Sequence, residues 1–588
     1  MGSITPKVSQ YHERHYPSLI SSAVNPGSSD DVPSPLSCPI RFIDIQMPSL
    51  PLAVTVGFSG PRSWYSYRDY PDLDPSVFQE AAAEWLKNRL VSLPAELGLA
   101  GHHFLTGISQ IALGGDHAFT AACRDLGIPQ IVSLPQPSDA YLEARSSSAP
   151  DFTEDQKQQA RDLLASPHII QEKVASEVAD RHARFEETNI ELVRQSDILI
   201  AMVKPGDSGK PGGTWDVIQQ AVRWGTPVLV VTVHLEDGEP SFAAEWEENT
   251  APGKSCYRPP FHPEVIDSLP ETKIPTTPAG VPERDAYFTA IKTHASAESK
   301  RLSGFFQNAA WTIIGTHFFA TVCAVLALVL IKDFLGKAYY PAIILFLVIE
   351  LGLLVWGYLR HHRLHDSETA SCWAMNRLLS EVARSAIAFW RYHVGFAHLW
   401  RLNLPAVLNP LLRTMEILQL RETRANTCAD WQDCRDTYLK TRLTDPRMQL
   451  DFYYMESEKA DRRYHLTHKV FIRASLLAIA ATALKLLFIL AYLVFHIDGI
   501  HFAKALLGFF GVLCPVVAVA ALSLAAANDL EARSHTFKEM HDFLTRQAAL
   551  INAATSEREF AKLLNETEPR LLGETVTWFS RRSFTGVA

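Results

Sequence analysis

Asp197-Ile198-Leu199-Ile200-Ala201-Met202-Val203, answered thirty residues on by Pro227-Val228-Leu229-Val230-Val231-Thr232-Val233, is a pair of short apolar runs rich in β-branched residues. Runs of this length and composition read as strands buried on both faces. Between them stand a glycine-rich loop and one helical segment, Trp215 to Trp224. Strand, helix and strand in that order make a parallel crossover, which is right-handed in nearly every known case.

The same grammar extends toward the N-terminus. Leu52-Ala53-Val54-Thr55-Val56-Gly57-Phe58 reads as a buried strand, and Pro75 to Leu93 as a helix opened by Asp74-Pro75 and closed by Pro94. A strand near Phe104 to Ile108, a helix from His117 to Leu126 and a strand from Ile128 to Leu134 follow. Residues 135 to 195 are polar and read as mostly helical, ending in the amphipathic run Val174 to Gln195. Residues 46–240 are thus expected to form an α/β Rossmann-like domain. Residues 1–45, rich in Ser and Pro, bury too little apolar surface to order themselves. Residues 241–295, with many Pro, Glu and Gly, read as an insertion or linker.

The C-terminal half differs in kind. Trp311 to Ile331, Tyr340 to Tyr358, Ala474 to Phe495 and Ala505 to Ala527 are apolar stretches long enough for a helix to cross a bilayer. They give a first transmembrane hairpin within 296–365, a cytosolic helical region at 366–469, a second hairpin within 470–528 and cytosolic helices at 529–588. Lys300, Arg301, Arg360, Arg363, Arg462, Arg463, Lys469, Arg473 and Arg533 flank the spans on one side, against Lys332, Lys337 and Lys504 in the short hairpin loops. The positive-inside tendency then puts both termini in the cytosol, for a multi-pass protein of the inner (plasma) membrane. Charged helices lead into both hairpins, Ala297 to Arg301 and Glu456 to Arg463, which suggests two copies of one module. Glu350 and Lys485 are the formal charges inside the spans, each near mid-helix. Equal depth and opposite sign predict that they meet, within one chain or between protomers of a homo-oligomer.

Composition removes several function classes. A net charge of -9 with no long basic run argues against nucleic acid as a partner. The eight cysteines contain no CxxC pair and read as reduced packing residues. The chain opens with neither a signal peptide nor a myristoylation pattern, so membrane attachment falls to the spans. There is no Gly-x-Ser-x-Gly elbow, HExxH or P-loop. His361 and His365, one turn apart beside Arg360 and Arg363, read as interfacial anchors, not as metal ligands. No cofactor is called for.

Three loops fall at expected strand ends, where open α/β sheets bind ligands. The first is Gly57-Phe58-Ser59-Gly60-Pro61-Arg62, whose glycines permit close backbone approach and whose arginine suits a phosphate. The second is Gly114-Gly115-Asp116-His117-Ala118. The third runs from Lys204 through Pro211-Gly212-Gly213-Thr214-Trp215-Asp216, at a helix N-terminus that favours an anion. Gly57, Ser59, Gly60, Arg62, Gly114, Gly115, Asp116, Gly212, Gly213, Thr214 and Asp216 are the candidate ligand-binding residues.

This triad of loops resembles the SLOG superfamily over roughly residues 50 to 235, most specifically at Pro211-Gly212-Gly213-Thr214. The superfamily includes nucleotide phosphoribohydrolases of LOG type, which carry Pro-Gly-Gly-x-Gly-Thr-x-x-Glu. Here Trp215-Asp216 replaces the Gly-Thr pair and Gln219 replaces the acid, so the resemblance implies binding of a nucleotide-derived ligand more than hydrolysis. The membrane half resembles SLATT-like effector modules, on its paired spans followed by a cytosolic helix, on Trp431 to Leu443 with Gln449 to Tyr454, and on Leu571 to Trp578. The pairing implies an effector of a bacterial conflict or antiphage system, a sensor and not an enzyme, acting on the lipid bilayer. A membrane-tethered LOG-type hydrolase and a ligand-regulated channel subunit without a defence role are the alternatives.

Overall fold

A computed structural model of the chain describes residues 50–62, 75–97, 99, 103–146, 149–205, 212–236, 239–247, 250–251, 254–255, 274–277, 280–327, 339–366, 369–389, 396–402, 404–405, 408–425, 430–495 and 501–584. All of these fall in one unit, Ile43–Ala588. The segment 1–45, the 206–211 part of the third loop, and Lys332 and Lys337 lie outside the described residues.

Seven strands form one sheet: β1 (Leu52–Ser59), β2 (His103–Ser109), β3 (Gln130–Leu134), β4 (Ile169–Val174), β5 (Ile198–Val203), β6 (Val228–Glu236) and β7 (Glu239–Trp246). Their order is β4-β3-β2-β1-β5-β6-β7, and every neighbouring pair is parallel except β6 with β7. The chain builds outward from β1 to β4, then returns to the other side of β1, so strand order reverses between β1 and β5. The period-two alternation of a strand sorts the β5 side chains between two cores. Ile198, Ile200 and Met202 join Val54, Val56, Phe58 and Phe119, while Leu199, Ala201 and Val203 join Leu192, Val217 and Ile218. Helices α1 (Pro75–Glu96) and α2 (Gly115–Leu126) cover the first core. Beyond α3 (Glu154–Leu164), which packs near β3, helices α4 (Arg181–Gln195) and α5 (Thr214–Arg223) cover the second.

The structure departs from the sequence reading at three places in this half. Pro94 does not close α1, which runs on to Glu96. A proline removes one hydrogen bond, but Phe78, Ala82, Leu86, Leu90, Leu93 and Leu97 form a buried row that holds the last turn in place. Val174 ends a strand where a helix was expected to begin; α4 starts only after Asp180, whose carboxylate accepts the Ala183 N–H at 2.9 Å. The stretch 241–295 is not linker throughout, since most of β7 and the first turns of α6 fall inside it.

The helical half comprises α6 (Arg284–Val325), α7 (Tyr339–Asp366), α8 (Thr369–Phe389), α9 (Asn409–Ala425), α10 (Trp431–Tyr438) running into a π-helical turn at Leu439–Thr444, α11 (Gln449–Phe495), α12 (His501–Ala527), α13 (Leu530–Ala553) and α14 (Glu557–Phe584). Among the described residues, four helices are long and apolar enough to cross a membrane. Their outward faces carry Ile344, Leu351, Leu476 and Leu493, all exposed, as a hydrocarbon surround requires. The two hairpins are built alike. In the first, α7 and then α8 fold back on α6; in the second, α12 and then α13 fold back on α11.

Contact between the hairpins runs through α6 and α12. Glu350 stands on α7 and Lys485 on α11, two helices with no extensive contact between them among the described residues. Both are half-buried, and among the described residues they form no ion pair with each other. The expectation that they meet within one chain is corrected on this point.

Candidate functional site

The reversal of strand order between β1 and β5 falls where open α/β sheets place their ligand crevice, and the three loops gather at these carboxyl ends. Gly60 and Gly115 touch backbone to backbone: a Cβ built on Gly115 would lie 2.9 Å from the Gly60 Cα. The Gly115 N–H donates to the Pro61 carbonyl at 3.1 Å. Gly114 is in the left-handed region at φ 78°, with the Pro61 carbonyl so close that any side chain would collide with it. These glycines knit the first loop to the second. The third loop joins through Ser59, whose hydroxyl donates to Thr214 Oγ1 at 3.3 Å.

Gly57 belongs to a different environment. It lies buried within β1, where a Cβ would run into the Ser196 hydroxyl, so its smallness serves packing of the sheet and not approach to a ligand. Arg62 is exposed and turned toward the segment after β3: its guanidinium donates to the Asp151 carbonyl and stacks 5.1 Å from the Phe152 ring centre. At α5, Gly213 caps the helix, Gly212 sits at φ 77° with open space around it, and the Asp216 carboxylate accepts the Gly212 N–H at 3.2 Å. The first-turn amides of α5 beside Ser59 and Thr214 are the groups placed to receive an anion.

Two residues that the sequence reading missed hold the third loop. The Asn189 amide on α4 donates to the Gly212 carbonyl at 3.1 Å, and Gln110 at the end of β2 donates to Asn189 Oδ1 at 2.8 Å. The available signal was a buried-face polar residue beside Leu192 and Val193 in an otherwise amphipathic run.

The second loop carries the unusual electrostatics. Asp116 is 5% exposed and its carboxylate accepts the Ala112 N–H at 3.0 Å. Burial pushes its pKa up to about 7, against the pull of that hydrogen bond. Its neighbour His117 is buried with neither ring nitrogen in a well-formed hydrogen bond, and burial lowers its pKa to about 4. At neutral pH the loop thus offers a carboxyl near half-protonation and a neutral imidazole. Gln219, where the LOG-type pattern has an acid, is exposed on α5.

The opposite edge of the sheet is docked. Helix α9 packs against β1, β4 and α6. Thr414 accepts the Ala53 N–H at 2.9 Å, and Arg413 pairs with Asp197, which also accepts the Thr55 N–H at 2.8 Å. Farther along, Arg424 donates to the Leu164 carbonyl at 3.0 Å, and Glu422 pairs with Arg284 at the start of α6 at 2.7 Å. One helix thus touches the amino ends of the central strands and the first membrane helix. Compared with protein-family models and with curated proteins, the chain matches none.

Proposed function

We propose that this chain is a ligand-gated membrane effector of the kind that serves conflict or antiphage systems. Its α/β half acts as a Rossmann-like, SLOG-type sensor of a nucleotide-derived signal; its transmembrane helices, in a SLATT-like arrangement, perturb or permeabilise the bilayer. The observation that carries the reading is the polarity of the sheet. Backbone amides and small residues crowd its carboxyl edge, while its amino edge is bolted through α9 to α6. A ligand that tightens the three loops acts on β1 and β5, the strands whose other ends hold α9.

The test uses the full chain in liposomes. Nucleoside monophosphates and nucleotide-sugar derivatives are titrated by calorimetry and scored for dye release. Binding with release supports the effector, whereas binding without release of any nucleotide removes the output half of the proposal. One observation favours the alternative LOG-type hydrolase: Asp116 holds a proton near neutrality and could serve as a general acid. Free base liberated in the same titration would identify that activity, and its absence retires it.

A further inference from the structure

A cavity of about 560 Å³ opens between the two hairpin modules, walled by α6, α8, the π-helical turn and the starts of α11 and α13. Phe306, Trp373, Phe452 and Trp578 supply an apolar and aromatic side. Ala527, the last residue of the apolar helix α12, lines it, so the cavity lies beside the end of a candidate membrane span. The volume is that of a small-molecule site.

Its charge is one-sided. Lys292, Lys300, Arg377, Arg384, Arg442, Arg447 and Arg533 line it, and Glu381 is the carboxylate among the lining residues. Four of these cations are paired: Arg377 with Glu574 at 3.6 Å, Arg384 with Glu381, Arg442 with Glu568 at 2.8 Å and Arg533 with Glu456 at 3.4 Å. Lys292, Lys300 and Arg447 form no ion pair among the described residues. Like charges held around a hollow repel one another, and an anion placed among them relieves that repulsion.

Two further observations point to an occupant. Ser380 lines the cavity, is 3% exposed, and its hydroxyl has no hydrogen-bond partner, an arrangement native proteins seldom leave without a ligand or water. Among the described residues, the non-glycine positions in the left-handed region are Arg447 at φ 70° and Asp529 at φ 49°. Arg447 lines the cavity, and Asp529 directly follows the lining residue Asn528. Such backbone is unfavourable for a bulky side chain and concentrates at functional sites.

We propose that this cavity binds a phosphate-bearing amphiphile, with the phosphate among Lys292, Lys300 and Arg447 and the apolar part against Phe306 and Trp373. A membrane lipid and a soluble nucleotide offer the same phosphate chemistry. The site stands apart from the carboxyl edge of the sheet and does not depend on what binds there.

The test takes the full chain in uncharged detergent micelles. One arm titrates dioleoylphosphatidic acid and the other ADP and pyrophosphate, with affinity read by calorimetry and occupancy by native mass spectrometry. Lys300→Glu, on an exposed position, is expected to weaken binding about tenfold, and the triple variant K292A/K300A/R447A on the order of a hundredfold. Native mass spectrometry of the single variant Lys300→Glu, at an exposed position, reads the site even where the triple variant fails to fold. Phosphatidic acid alone showing these effects supports the site with lipid as its source; ADP or pyrophosphate showing them supports it with a soluble source. Binding that is absent in both arms, or indifferent to Lys300→Glu, overturns the proposal.

Discussion

Burial sets the behaviour of Asp116. In the unfolded chain its carboxyl ionises near the ordinary value of 3.8, whereas in the folded protein it keeps its proton to about 7. The native state therefore holds more protons across that window, and stability falls as pH rises through it, by about 1.4 kcal/mol per pH unit from this group alone. Asp116→Asn removes the ionisation and keeps an oxygen for the Ala112 N–H. Its thermal midpoint in micelles should exceed that of the wild type by more at pH 8 than at pH 5; an equal gain at both would contradict the assignment. A second buried group behaves in the opposite sense. Glu568 is fully buried, and burial would raise its pKa, but the Arg442 guanidinium at 2.8 and 2.9 Å and the Tyr438 hydroxyl at 2.8 Å outweigh that and hold it low. Arg442→Ala strands this carboxylate and should cost about 3–5 kcal/mol in a denaturation series, while an exposed pair such as Lys459–Glu456 should cost under about 1 kcal/mol when broken. That Gly60, Gly114, Gly115 and Gly212 stand in loops at strand ends was legible from sequence, whereas Gly57, read with them, lies inside β1. Asn189 was not, because a polar residue on a helix is read as solvated until its partner Gly212 is known.

Among the elements, strands flanked by strands on both sides were legible and edges were not. β1, β2, β3, β5 and β6 show as continuous apolar runs, since each is buried between helices on both faces. β4 buries only Ile169 and Ile170 before half-buried and exposed residues take over at the sheet edge, and β7, the other edge, leaves Glu239, Ala243, Ala244 and Glu245 exposed, so neither offers a run to recognise. Helix α9 was hidden for another reason. Its apolar positions mark a buried face but not which surface buries it, and the sequence separates Thr414 from Ala53 by 361 residues. Its role is open to a direct experiment. Arg413→Ala leaves Asp197 in a site where burial already raises its pKa against the pull of Arg413. We expect nucleotide affinity at the crevice within about twofold of wild type, because no crevice residue is touched, together with loss of most dye release. Release at the wild-type level would show that α9 does not carry the signal.

For the whole molecule, Glu350 and Lys485, which form no ion pair among the described residues, mark what a single chain leaves unfinished. Glu350 on α7 and Lys485 on α11 sit near mid-span, and each costs about 2.5–3.5 kcal/mol or more in hydrocarbon. Their pairing between protomers would remove that cost and make the oligomer obligatory. Glu350→Lys should then dissociate the assembly in light scattering of the micellar protein, and adding Lys485→Glu should restore it. An assembly indifferent to the single change places the pairing elsewhere. Helix α6 has a mechanical consequence of its own. Its 42 residues run unbroken from the Arg284 pair with α9 into the apolar stretch. At 1.5 Å per residue that is a rod about 63 Å long, so a tilt of about 5° at its docked end swings the far end by about 5 Å, close to one helical pitch. A small rotation at its docked end is thus magnified into a sideways displacement of about 5 Å at the far end of the helix.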